Sequence, residues 1–201
     1  MITVLGKSEA TLTMITDNLE SLKQFSEIKI INNLRKSTSL EYVNNRFDYS
    51  EEHELKTKEG CFIIGVTKPE NKIAIYNFFG VDNNKFVNII HASSQISSTA
   101  TINNGVIINF LVSVAGYAKL GNHVTINRNS SIGHHTIIED FVAINPGCNI
   151  AGNCLIGEGT LIGMGTNVRD GVKIGKNCTI GMGSTVLKDI PDNSKVFGLI
   201  K

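Results

Sequence analysis

The chain has 201 residues, enough for one large domain or two small ones that each bury a core. Its 19 Lys+Arg against 18 Asp+Glu leave a net charge of +1, which excludes the one-sided field that draws nucleic acid or an anionic membrane. No basic stretch followed by an apolar run opens the sequence, and no run of roughly 18 apolar residues could span a bilayer, so a soluble, cytoplasmic protein is expected. The four cysteines, Cys61, Cys148, Cys154 and Cys178, lack metal-ligand pair spacing, and a cytosolic setting would keep them reduced.

Residues 1–91 alternate apolar strands with helix-like stretches. Ile2–Leu5 reads as a strand, Glu9–Phe25 as a helix and Ile28–Ile31 as a strand. The polar segment Arg35–Lys58 reads as loops with one short helix around Leu40–Asn44. Cys61–Val66 follows as a buried strand, Pro69–Phe79 as a helix opened by proline, and Phe86–Ile90 as a last strand. This order predicts a small Rossmann-like α/β domain with a parallel sheet. The turn Gly6-Lys7-Ser8 stands where such folds seat a phosphate at a helix N-terminus, although one glycine serves a solvated turn equally well.

From Ile96 the pattern changes. Stepping by six gives Ile102, Ile108, Val114, Leu120, Ile126, Ile132, Ile138, Ile144, Ile150, Ile156, Ile162, Val168, Ile174, Ile180 and Val186, all aliphatic and without insertion. With roughly a quarter of positions in an average chain being Ile, Val or Leu, such a run is not chance, and neither helix nor strand periodicity produces it. Four residues after each aliphatic comes a mostly small side chain, Cys148, Cys154 and Cys178 among them, suited to an inward corner. Glycine follows the aliphatic at 121, 133, 157, 163, 175 and 181, where a tight turn is expected. Three such units close a triangular coil of eighteen residues, so residues 92–201 should form a parallel β-helix in which positions eighteen apart stack at about 4.8 Å.

The stacking rule is a map of neighbours. It aligns Asn109, Asn127 and Asn145 as a ladder. It places His134 between Gly116 and Gly152, His135 between Tyr117 and Asn153, and His123 between Gly105 and Phe141. His134 therefore has no side chain directly above or below it and faces a space a ligand can enter. The five histidines, at 53, 91, 123, 134 and 135, do not supply the spaced set that a zinc-dependent β-helix enzyme needs, and no metal is expected.

A short α/β domain, the junction Ile89-Ile90-His91-Ala92-Ser93-Ser94 and then hexapeptide coils together resemble the bacterial sugar acetyltransferases of the left-handed β-helix family. The resemblance covers nearly the whole chain and is strongest over 96–191. It implies left-handed coils, a homotrimer, acetyl-CoA as acyl donor lying between neighbouring subunits, and a nucleotide sugar held by the N-terminal domain, where the family's glycine-rich turn is missing and Gly6, Lys7 and Ser8 stand as the candidate contacts. It matches the family's catalytic segment to Ser131–Phe141, which makes His134 the general base and puts His135 where the family usually has an acid. The second family histidine falls on Ala143, and the proline expected after the junction histidine is Ala92. The same correspondence carries the pantetheine arm past Gly152, Met164 and Met182, sets Asn127 near the acceptor, and offers the Gly152 N–H to the oxyanion.

The implied reaction is acetylation of the amine of a nucleotide-linked 4-amino-dideoxy sugar for cell-surface glycans. Acetylation of a sugar hydroxyl and a non-catalytic trimeric scaffold are the alternatives.

Overall fold

The computed structural model describes residues 1–23, 27–31, 48–52 and 54–201. The N-terminal sheet is parallel, built from β1 (Ile2–Leu5), β2 (Glu27–Ile31), β3 (Asp48–Glu52) and β4 (Phe62–Ile64) in the order β3-β2-β1-β4. That order is half of a Rossmann sheet. The inner strand β1 is buried along its whole length, which is why it reads as a continuous apolar run rather than an alternation. Helix α1 (Glu9–Leu22) turns Leu12, Ile15 and Leu19 onto the sheet, and α2 (Pro69–Phe79) starts at its proline and ends at Gly80 in the left-handed region.

Two expectations change, and a third falls on residues that are not described. Strand β3, Asp-Tyr-Ser-Glu-Glu, was hidden within a segment read as loop: it is a polar edge strand without apolar alternation, formed because β2 offers a backbone ladder. The helix expected at Leu40–Asn44 and His53 lie outside the described residues. The strand expected at Phe86–Ile90 is divided, with Phe86 making a single bridge to Phe62 and Ile89–Ile90 pairing with Ile107–Ile108. Ile90 stands six residues before Ile96, so the six-residue register begins one unit earlier than the first aliphatic counted.

The rest is a parallel β-helix of two-residue strands joined by four-residue connections, making about six turns. Three parallel sheets form its walls, and every strand pairs with the one eighteen residues away, as in Ser131↔Asn149↔Asn167, up to Thr179, whose partner is Lys195. The aliphatics from Ile108 to Val186 fill the interior with Val106, Val112, Ala118, Val124, Val142 and Val172. Where the corner residue is Ser, Thr or Cys it knits coils together. Thr136 Oγ1 donates to the Ala151 carbonyl at 2.8 Å and accepts from Cys154 N at 3.1 Å, and Thr160 does the same to Gly175 and Cys178. Cys148, Cys154 and Cys178 are buried, their thiols aimed at carbonyls of the next coil, and burial pushes the Cys148 and Cys154 thiols up, away from the reactive thiolate.

The glycines after the aliphatics serve a different need from the one expected. None has a positive φ; that conformation falls two residues later, at His123, His135, Gly159, Gly165, Asn177 and Gly183. A Cβ on Gly157 would stand 2.5 Å from the Gly175 carbonyl carbon, and one on Gly163 2.5 Å from the Met182 nitrogen. These glycines let one coil's backbone lie against the next. The asparagine ladder is formed between Asn109 and Asn127, at 3.2 Å.

The two parts are locked together by buried polar contacts. Asn18 of α1 donates to the Ile108 carbonyl at 3.0 Å. From α2, the fully enclosed Lys72 donates to the His123 carbonyl at 2.6 Å and to Thr125 Oγ1. Around it pack Tyr76, Phe86, His123 and Phe141, with His123 stacked on Phe141 at 4.9 Å. Burial lowers the Lys72 ammonium to about 7, and burial together with Lys72 lowers His123 to about 4. Each folded value lies below its unfolded one, so each contribution is complete above the unfolded value and is lost as pH falls through the folded one. Stability should rise between about pH 7 and 10.5 through Lys72 and fall between about 6.5 and 4 through His123. Urea titrations across this range check it: Lys72→Met is expected to flatten the alkaline rise and leave the acid fall in place.

Candidate active site

Each wall of the β-helix ends in a column of turns, so the chain has three corners. One carries residues 115–117, 133–135, 151–153 and 169–171, and holds His134, His135 and Gly152. A second carries Asn127, Met164 and Met182. The third carries His123 and faces α2. The described histidines are spread over all three corners, His91 on the second, and no group of three or more His, Cys, Asp or Glu among the described residues could hold a metal ion.

His134 is exposed at the second residue of its turn, and its ring leans onto Gly152 rather than toward Gly116. A Cβ on Gly152 would stand 2.7 Å from both Cε1 and Nε2, so only glycine leaves room for the imidazole. Gly133 plays a matching part: a Cβ there would press on the Gly152 nitrogen. That N–H makes no hydrogen bond to a described protein group, which leaves it free to act as a donor on the corner that carries His134.

His135 is the side chain in hydrogen-bond contact with His134. Its φ of 58° sets it in the left-handed conformation of the turn, its ring stacks on Tyr117 at 4.9 Å, and its Nδ1 is 3.2 Å from Nδ1 of His134. One of these nitrogens donates and the other accepts. When His134 is the donor, its Nε2 keeps the lone pair and faces the Gly152 slot, which is the tautomer a base requires.

The stacking column does not stop at Gly152. One more step of eighteen is Asp170, whose Oδ1 would lie 2.9 Å from the same Cβ and accepts from Asn153 Nδ2 at 3.3 Å. Sequence reasoning stopped at nearest coils and passed over it; the signal was present, at thirty-six residues from His134.

The other expected residues lie elsewhere in the chain. Met164 and Met182 are exposed on the adjacent corner with Leu111, and Asn127 Oδ1 there is taken by Asn109 and its own Arg128 amide. At the β1–α1 turn, Gly6 has a φ of 75° and packs against Ile75, Lys7 is buried, and the Gly6 and Ser8 amides are bonded to the Ile31 and Gly65 carbonyls. A phosphate there would be met by the first turn of α1 rather than by those two amides.

Residues 153–188 match the bacterial transferase hexapeptide (six repeats) family. No curated protein matches the chain. Among solved structures, the acetyltransferase domain of PglB from Neisseria gonorrhoeae superposes with a TM-score of 0.86 at 24% identity over 98% of this chain and 96% of that one. A histidine-to-asparagine variant of perosamine N-acetyltransferase from Caulobacter crescentus, in complex with CoA and GDP-perosamine, gives 0.83 at 18% identity, covering 98% and 92%. WeeI from Acinetobacter baumannii gives 0.81 at 20%, covering 98% and 96%. The fold is therefore the α/β domain plus left-handed β-helix of these proteins.

Gly152→Ala tests the slot. The new methyl displaces an exposed, movable ring, so thermal stability should shift by no more than a few degrees, roughly 1 kcal/mol. Turnover should fall by at least tenfold, as measured by thiol release from acetyl-CoA.

Proposed function

We propose that the chain is an acetyl-CoA-dependent acetyltransferase that acylates the amine of a nucleotide-linked 4-amino-dideoxy sugar in cell-surface glycan synthesis. The observation that carries this is the His134 imidazole lying against Gly152, the residue whose backbone N–H makes no hydrogen bond to a described group. The fold it shares with PglB, perosamine N-acetyltransferase and WeeI supports it, as do the hexapeptide repeats over 153–188.

The chemistry is direct transfer. His134 takes a proton from the acceptor nitrogen as that nitrogen attacks the thioester carbon, and the Gly152 N–H receives the charge that develops on the oxygen. The tetrahedral intermediate collapses with loss of the CoA thiolate, which is protonated to the free thiol. The buried cysteines are not placed to intervene, so no acyl-enzyme forms. His135 holds the His134 tautomer in place of the family acid.

The residues assigned to the pantetheine arm, Met164 and Met182, are 52% and 78% exposed on the corner next to His134. Two corners of a single chain cannot close on one ligand, whereas corners of neighbouring copies in a trimer can, and such a trimer would cover this apolar stripe. Light scattering should give three times the chain mass, and Met182→Asp should lower it.

The reading is tested with purified protein, acetyl-CoA and a panel of UDP-, dTDP- and GDP-linked 4-amino sugars. Replacing His134 by Ala should reduce kcat by about 10²–10⁴-fold with acetyl-CoA binding retained. Full turnover in that variant would contradict the assignment of the base.

A further inference from the structure

The slot over Gly152 has two polar walls. Register fixes them: Ile132↔Ile150↔Val168 pair across three coils, so His134, Gly152 and Asp170 occupy one position on consecutive turns of the same corner. Nε2 of His134 and Oδ1 of Asp170 lie 2.7 and 2.9 Å from the point where a Gly152 Cβ would be, one from each side. Their separation cannot exceed the sum of these two distances. No hydrogen bond or ion pair joins the two side chains, so they face one another across a gap that a single hydrogen-bonded atom spans. Asp170 is not adrift at the surface, because Asn153 Nδ2 donates to its Oδ1.

A hydroxyl has one proton to give, and it goes to the base. An amine at neutral pH arrives as an ammonium with three donors and a positive charge, and it gains from a carboxylate as well as from an imidazole lone pair. We propose that Asp170 is the residue that seats the cationic amine of the acceptor, opposite His134, and so selects an amine over a hydroxyl; this rests on the acetyl-transfer reading of the His134 corner.

With the nitrogen between them, Asp170 Oδ1 accepts one N–H and His134 Nε2 takes a second proton, which passes to solvent through the exposed His134–His135 pair. The freed lone pair forms the N–C bond and the C–S bond breaks. The remaining surplus proton of the nitrogen is taken by His134 and ends on the CoA thiol. The Asp170 side chain also lies close to the imidazolium that forms on His134, which is therefore not an isolated charge.

The experiment compares the wild type with Asp170→Asn, Asp170→Glu and His134→Ala on 4-amino nucleotide sugars and on their 4-hydroxy counterparts. Asp170→Asn is nearly isosteric and exposed, so it should fold as the wild type does, checked by its melting temperature. It is expected to raise the acceptor KM about tenfold or more, to leave the KM for acetyl-CoA unchanged and to narrow the preference for amine over hydroxyl. Asp170→Glu should recover part of the loss. His134→Ala should instead lower kcat. If His134→Ala is inactive while Asp170→Asn keeps the wild-type acceptor KM and amine preference, the seat is refuted and the base stands. If no amine is acetylated, or hydroxyl acceptors alone react, the proposal fails as well. Full activity in His134→Ala would instead overturn the reading beneath it.

Discussion

Everything in this chain depends on one repeated interaction, the hydrogen bond from a backbone N–H on one coil to a carbonyl on the next. Ile137 N bonds Cys154 O, Ser131 N bonds Cys148 O and Leu155 N bonds Val172 O, all at 2.9–3.1 Å. Because this ladder must be unbroken, the coil keeps a length of eighteen residues until it shortens at the last turn, and residues that share a position are forced into columns. The columns do the rest. They fill the interior with aliphatics, align hydroxyl and thiol corners with carbonyls of the following coil, and determine what stands beside each turn residue. A glycine in a column is therefore a designed absence. At 157 and 163 it admits backbone; at 152 it admits an imidazole from one side and a carboxylate from the other.

The three corners have been put to three uses. The His123 corner is consumed by docking: Lys72, Tyr76 and Phe86 cover it, and its histidine is buried, lowered to about 4 and bonded through Nε2 to Asn83. The second corner presents Leu111, Met164 and Met182, an apolar stripe with little chemistry of its own. The His134 corner presents His134, His135 and Asp170 in the open. Among the described residues, this corner alone sets an exposed histidine, in contact with a second histidine, against a glycine, as the proposed base requires.

Periodicity made the β-helix legible before any coordinates, because sixteen aliphatics in one register have no other physical source. The same arithmetic anticipated the buried cysteines, the stacking of His123 on Phe141 and the contact of His134 with Gly152. It failed where the cause was not periodic. Strand β3 has no apolar pattern because an edge strand needs none. Lys72 sits in the unremarkable helix sequence Pro-Glu-Asn-Lys-Ile, and its acceptors, His123 and Thr125, are about fifty residues away, so nothing local marks it as buried. The glycines were seen but their reason was misread, since turn conformation and coil-to-coil clearance leave the same letter in the sequence. Asp170 shares the column of His134 at twice the coil spacing, and nearest-neighbour stacking does not reach it, because the missing side chain at 152 opens a window to the next coil.

The central claim is that chemistry takes place in the Gly152 slot. A crystal structure of the chain with acetyl-CoA tests it most directly. The account predicts the thioester carbonyl at the His134 corner, its oxygen within hydrogen-bond distance of the Gly152 N–H and its carbon near Nε2 of His134. A thioester bound elsewhere, for example in the hollow of about 410 Å³ lined by Lys119, Glu139, Glu158 and Lys176, would contradict it.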